Sequence, residues 1–273
     1  MNAVLYDRST VACLENSQEM EESMRKAILM VWAVVVLGFG VNLFAQKGEV
    51  DLRPGKASKG TSLLFREDFP SDGSRHAPLT QERIGSPNLE LKMYGPGGES
   101  GDGETYGIRL SYEEDHIYPG KFASMVYSGV VKGSWAVMLK DKNNYFDLRD
   151  TARIRWRVRG RGLHMLRPVV KLADGTMWVA DYLEPFSTYF HENEVFLVDI
   201  FRWRKVNPET MAEAGAQANE PLWRADLDLG MVDEIGFTDL RTGGGDGTQG
   251  NTSVDWIEVY GNPVARVGSQ SQR

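Results

Sequence analysis

The segment RIRWRVRGRG, residues 153–162, sets a guanidinium at every second position: Arg153, Arg155, Arg157 and Arg159 share one parity, Ile154, Trp156 and Val158 the other. Side chains of an extended strand alternate between its faces, so one face of this segment is cationic and the other apolar. A guanidinium presents a planar fork of donors that grips a carboxylate or sulfate with two bonds. The plainer reading is a solvated face whose arginines pair with cross-strand carboxylates, at roughly a few tenths of a kcal/mol each. What separates the two is the neighbouring strand: acidic side chains alone, or polar and aromatic ones too.

Aromatic side chains are the second chemical resource. Trp178 in KLADGTMWVADY and Trp203 in DIFRWRKV are candidate stacking platforms for sugar rings, although a tryptophan also serves as a large core residue. With Arg155 and Arg157 they form the candidate ligand contacts, the arginines for acidic groups and the rings for apolar sugar faces.

Signals for catalysis are weaker. His76, His116, His164 and His191 are far apart and show no zinc-binding spacing, and no GxSxG elbow is present. Paired carboxylates for glycoside hydrolysis abound (Glu113, Glu114 and Asp115; Asp181 and Glu184; Glu192 and Glu194), each equally at home in a solvated loop. A uronate lyase would need a cation and a base, and Arg155 or Arg157 with Tyr182, Tyr189, His164 or His191 supplies the types. The glycine-rich RTGGGDGTQGNTS leads to a strand and has no lysine, unlike a phosphate loop, and reads as a connector.

The elements that must position these groups are short strands separated by turn signals. SLLFREDF, NLELKMYG, TYGIRLSY, SWAVMLKD, ARIRWRVRG, LRPVVKLADGTMWVADY, NEVFLVDIFRW, VDEIGFTDL and SVDWIEVYG follow one another with almost no helical periodicity. Asp174-Gly175 stands where a tight hairpin turn needs positive φ. One short helical insertion is expected in NPETMAEAGAQANEP, with Asn207 as cap and Pro208 at the first helical position. The fold class is all-β: an antiparallel, jelly-roll-like β-sandwich over residues 61–262, followed by a frayed tail at 263–273.

Net charge −7 argues against bulk nucleic-acid binding. Residues 24–45, from MRK through an uncharged apolar run to Ala45, read as a signal peptide. Residues 1–23 are acid-rich and read as an over-extended start, and 46–60 as a polar linker. If the segment is uncleaved, Ala27–Ala45 comes close to the about 20 apolar residues that span a bilayer and would anchor the chain. The single cysteine, Cys13, precedes this segment, so the exported part has neither disulfide nor thiol chemistry. That composition suits a bacterial periplasm or exterior.

NNYFDLRDTARIRWRVRGRG, and VDEIGFTDL followed by SVDWIEVYG, resemble segments of the galactose-binding-like β-sandwiches that include carbohydrate-binding modules. The resemblance covers about residues 140–262 and implies a jelly-roll sandwich. Such modules often hold a structural calcium ion near the first and last strands, which implies Glu67 or Asp68 and Asp255 as ligands here. The expectation is an exported, non-catalytic protein binding a polysaccharide or oligosaccharide, with acidic polysaccharide as one ligand class. The alternatives are a secreted polysaccharide lyase or glycoside hydrolase, and a structural or assembly module.

Overall fold

The computed structural model describes residues 60–98, 107–115, 118–212, 223–241 and 250–266. The 1–23 start, the 24–45 signal, the linker up to residue 59, His116 and residues 267–273 lie outside them. Fifteen strands are present among the described residues: β1 (Ser62–Glu67), β2 (His76–Pro78), β3 (Leu89–Tyr94), β4 (Arg109–Glu114), β5 (Phe122–Tyr127), β6 (Trp135–Asp141), β7 (Asn144–Asp147), β8 (Arg153–Gly160), β9 (Arg167–Leu172), β10 (Met177–Ala180), β11 (Ser187–Phe196), β12 (Trp203–Val206), β13 (Trp223–Arg224), β14 (Val232–Asp239) and β15 (Thr252–Ala265).

They form two antiparallel layers. The first sheet runs β11-β8-β15-β5-β4-β2, with β1 beside the second half of β15. The second runs β13-β12-β10-β9-β14-β6-β3. β7 pairs with both β14 and the end of β15, and β15 thereby crosses from the first layer to the second, as corner strands of sandwiches do. Its pairing of Asn262 to Ala265 with β7 carries the domain past the expected boundary at 262.

Alternation builds the core. Ile154, Trp156 and Val158 of β8 are fully buried between the layers, opposed by Val137, Leu139, Ile235 and Phe237 of the second sheet. Phe237 meets Phe69 and Trp135 edge-on, with ring centroids 6.2 Å apart in both pairs. Each such large side chain contributes roughly 1.5–3 kcal/mol of apolar burial. Gly236 lies where β14 runs closest to β6: an added Cβ would stand 1.9 Å from the Val137 carbonyl oxygen. The expected turn forms at Gly175 (φ +86°), where the Asp174 carboxylate accepts from the Thr176 N–H at 2.8 Å.

Two expected elements differ. Residues 207–212 form a turn, not the start of a helix: the Asn207 side chain accepts from the Glu209 N–H and its carbonyl from the Met211 N–H, and Met211 sits at φ +53°. Positive φ ends a right-handed helix before a second turn can form. The rest of that segment, 213–221, lies outside the described residues. NEVFLVDIFRW is not one strand either, because a 3-10 turn at Leu197–Asp199 separates β11 from β12 and sends them to different sheets.

Candidate functional site

The arginines of β8 lie on the outer face of the first sheet, and their neighbours are both acidic and aromatic. Glu192, Glu194 and Phe196 of β11 stand on one side; Asp255, Trp256, Glu258 and Tyr260 of β15 stand on the other. The β15 register shifts between Val254 and Trp256, so Asp255 and Trp256 both face Arg157. An extra residue in one strand turns a side chain that strict alternation would bury toward the outside. That bulge delivers Trp256 to the arginine face.

Toward the start of β8 the face is open. Arg153 Nε donates to Glu194 at 2.6 Å and Arg155 Nη2 to Glu192 at 2.6 Å. Glu258 accepts from Arg66 at 2.7 Å and from the Tyr260 hydroxyl at 2.9 Å, and this bond to Glu258 raises the Tyr260 phenol above its ordinary range. Rings interleave with the charges. Arg153 stacks 4.0 Å over Tyr260, and Trp256 lies between Arg66 at 4.4 Å and Arg155 at 5.4 Å. Arg153, Arg155, Glu192, Asn193, Glu194 and Tyr260 line a groove of about 460 Å³, within the 300–1,000 Å³ range of small-ligand sites.

Farther along the strand the arginines sink. Arg157 is bonded by both Asp255 and Asp115 and lies 4.6 Å from the Phe190 ring. Burial alone would lower its guanidinium; the two carboxylates outweigh burial and raise it. Arg157 is thus committed to internal ion pairs, whereas Arg155, 43% exposed, stays at the groove.

The other expected contacts are not on this face. Trp178 and Trp203 are 4% and 2% exposed and lie in the core between the sheets, with the Trp178 indole N–H bonded to Thr176 at 2.9 Å. Neither ring offers a face to a ligand, which corrects their assignment as stacking platforms. The physical reason is the face they occupy: Trp178 shares parity with Ala180 in β10, and Trp203 of β12 stands opposite Ala180, so both rings lie on the side of the second sheet that packs into the core.

The carboxylates implied by the resemblance as calcium ligands each have partners within the protein. Glu67 is buried and accepts from the backbone N–H groups of Phe69, Gly85 and Ser86 at 2.9–3.1 Å. Asp68 is taken by Arg66 and Asp255 by Arg157. Calcium needs six to eight oxygens, and no group of three or more metal-capable side chains occurs among the described residues. Each of the three carboxylates is already engaged by donors of the protein itself.

The lyase set is split by the sheet. Tyr182 and His191 both bond Glu184, at 2.9 and 2.7 Å, together with Asn193 and the Trp156 indole on the core side of β8. Burial, then the charge of Glu184, pushes the Tyr182 phenol up. Arg155 and Arg157 point from the opposite face of the same strand. His164 is held by Asp239 at 2.5 Å, and Tyr189 is exposed.

No family model matches the chain, and no curated protein matches it in sequence. Among solved structures it is similar to the family 11 carbohydrate-binding module of cellulosomal cellulase Lic26A-Cel5E of Clostridium thermocellum: 16% identity, TM-score 0.39, covering 76% of this chain and 97% of that one. The Clostridium thermocellum family 11 module in complex with a β-1,3-1,4-mixed-linked tetrasaccharide gives 14% identity and TM-score 0.36, over 69% and 96% of the two chains. An exo-β-agarase gives 10% identity and TM-score 0.35, over 70% of this chain and 25% of the agarase. The class defined by the strand pairing is a two-sheet antiparallel β-sandwich. Over about three quarters of its length it resembles those carbohydrate-binding modules.

Proposed function

We propose that the chain is an exported carbohydrate-binding protein that holds an oligosaccharide segment in the groove over β8, β11 and β15, binding it without chemical conversion. The observation that carries this reading is the groove wall itself. Arg153–Glu194 and Arg155–Glu192 are fixed donor–acceptor pairs beside the Tyr260 ring. Sugar hydroxyls both donate and accept, so a wall of paired guanidinium and carboxylate serves them on both counts while a ring covers an apolar sugar face. The export part of this reading is supported by the apolar segment at 24–45, which reads as a signal peptide and suits a periplasmic or extracellular protein.

Affinity electrophoresis of the full chain in gels cast with a neutral glucan, a uronate polymer or a sulfated galactan tests the reading. Retardation by at least one gel is expected, reduced in Arg155→Gln. Full mobility in all three gels would overturn it, and release of reducing ends or unsaturated products would replace it with the hydrolase or lyase alternative.

A further inference from the structure

The groove over β8, β11 and β15 is rich in charge, yet its charges cancel. Arg153 and Arg155 are the cations that line it, and Glu192 and Glu194 the anions. The strand register shows how they interleave. One row crosses four strands as Arg66 of β1, Glu258 of β15, Arg155 of β8 and Glu194 of β11, so the sign alternates at every step. Another row runs Leu63, Tyr260, Arg153 and Phe196, with a ring on each side of its single cation.

Diagonal bonds tie the rows together. Glu194 accepts from Arg153 at 2.6 Å although it stands opposite Arg155, and Glu192 accepts from Arg155 at 2.6 Å although it stands opposite Arg157. On its other flank Arg155 has Glu258 at 3.7 Å, and Glu258 also takes Arg66 at 2.7 Å. Each guanidinium of the groove therefore has a carboxylate beside it, and Arg155 lies between acids on both neighbouring strands. The bond to Glu192 holds the Arg155 guanidinium above its ordinary range. The Glu192 and Glu194 side chains are 50% and 42% exposed, so a ligand in the groove meets them together with the arginines.

An anionic group fits poorly in such a wall. To bind Arg153 or Arg155 it has either to displace a carboxylate or to sit beside one, and in both cases a like charge stays next to it. Like charges left facing one class of ligand are a means by which a site rejects that class. A sugar hydroxyl meets no such conflict, because it donates to the exposed carboxylate oxygens and accepts from the remaining guanidinium N–H groups without breaking a pair. The net charge of −7 adds no long-range attraction for a polyanion. We propose, resting on the carbohydrate reading of this groove, that Glu192 and Glu194 determine its specificity: they hold the arginines in neutral pairs, so the groove accepts uncharged glycans and rejects those bearing uronate or sulfate. The arginine face is thus an anion site held shut by its own acids.

The test uses the full chain in the same neutral-glucan, uronate and sulfated-galactan gels, with Glu192→Gln/Glu194→Gln as the informative variant. Glutamine keeps the length and a carbonyl acceptor but releases both guanidiniums from their ion pairs. Exposed pairs of this kind contribute little to stability, so the variant folds, and an unchanged thermal midpoint checks it. Asp181→Asn/Glu90→Gln is the control. It removes the same charge and releases Arg202 and Lys92 at the second sheet, outside the groove.

The native protein is expected to be retarded by the neutral gel and to run freely in both acidic gels at low salt. The groove variant is expected to gain about tenfold in acid-gel affinity at low salt and to lose that gain at high salt, where exposed charges are screened. The control is expected to gain nothing. Native retention by an acidic gel that equals or exceeds neutral retention, no gain in the variant, or an equal gain in the control overturns the role of the two glutamates and leaves the carbohydrate reading standing. A gain in the variant, with the native protein running freely in every gel, keeps that role and overturns the carbohydrate reading. Free running of both proteins in every gel overturns both.

Discussion

The two sheets treat their outer faces in opposite ways. On the second sheet, Ala136, Met138, Val169, Met177, Val179 and Val206 point away from the core yet are buried, under Met211, Tyr94 and Leu240 of the same chain. A polar cluster beside it is compact: Lys171 donates to Tyr94 at 2.7 Å and to Glu234 at 3.1 Å. The first sheet instead carries arginines, acids and rings outward and leaves a groove among them. An apolar outer face is a surface the chain has to close for itself. A face of paired charges is stable in water, so it can remain open for a partner.

The contrast within the first sheet is sharpest at Arg157. Arg157→Met leaves Asp115 and Asp255 buried without their cation, and a loss of about 3–5 kcal/mol is expected in urea titration. Arg155→Met, at the exposed groove, is expected to cost less than about 1 kcal/mol. Equal losses would erase the division into a structural half and an open half. Met177→Ala tests the closed face of the second sheet. Fully buried, it is expected to lose about 2–5 kcal/mol while keeping whatever glycan retention the protein shows. Tyr260→Ala should do the reverse, weakening retention about tenfold, or roughly 1.4 kcal/mol, with little change in the urea midpoint.

The smallest effect is alkaline. Burial raises the Tyr94 phenol above its ordinary 10.0, and Lys171 is raised above 10.5 because its bonds to Tyr94 and Glu234 outweigh burial. Groups whose folded values are raised hold the fold below their unfolded values and release it as pH climbs through the folded ones. The second-sheet cluster therefore weakens above about pH 10, while the guanidiniums of the first sheet stay charged. Tyr94→Phe is expected to flatten stability against pH above about 10. An unchanged slope would mean that the cluster contributes nothing.

Much of the scaffold was legible because alternation leaves a direct mark on sequence. The β8 parity, the Asp174-Gly175 turn and the closing β14 and β15 strands follow from patterns two residues long. Three features were not. β7 grows from NNYFD, whose polar start reads as a continuation of the turn before it, and only its pairing with β15 and β14 makes it a strand. The bulge at Asp255 and Trp256 changes which face a ring occupies, and a register shift has no composition of its own. The aromatic platform was sought at Trp178 and Trp203, yet the better signal lay in DWIEVY. There Tyr260 shares parity with Glu258, and a charged neighbour on the same side marks an outward ring, whereas Trp178 shares parity with Ala180.

β15 belongs to both sheets, pairing with β8, β5 and β1 and then with β7. It is also the last strand in chain order among the described residues. In the first sheet it is the strand that joins β8 and β11 to β5, β4 and β2, so those two halves have no pairing with one another until β15 lies between them.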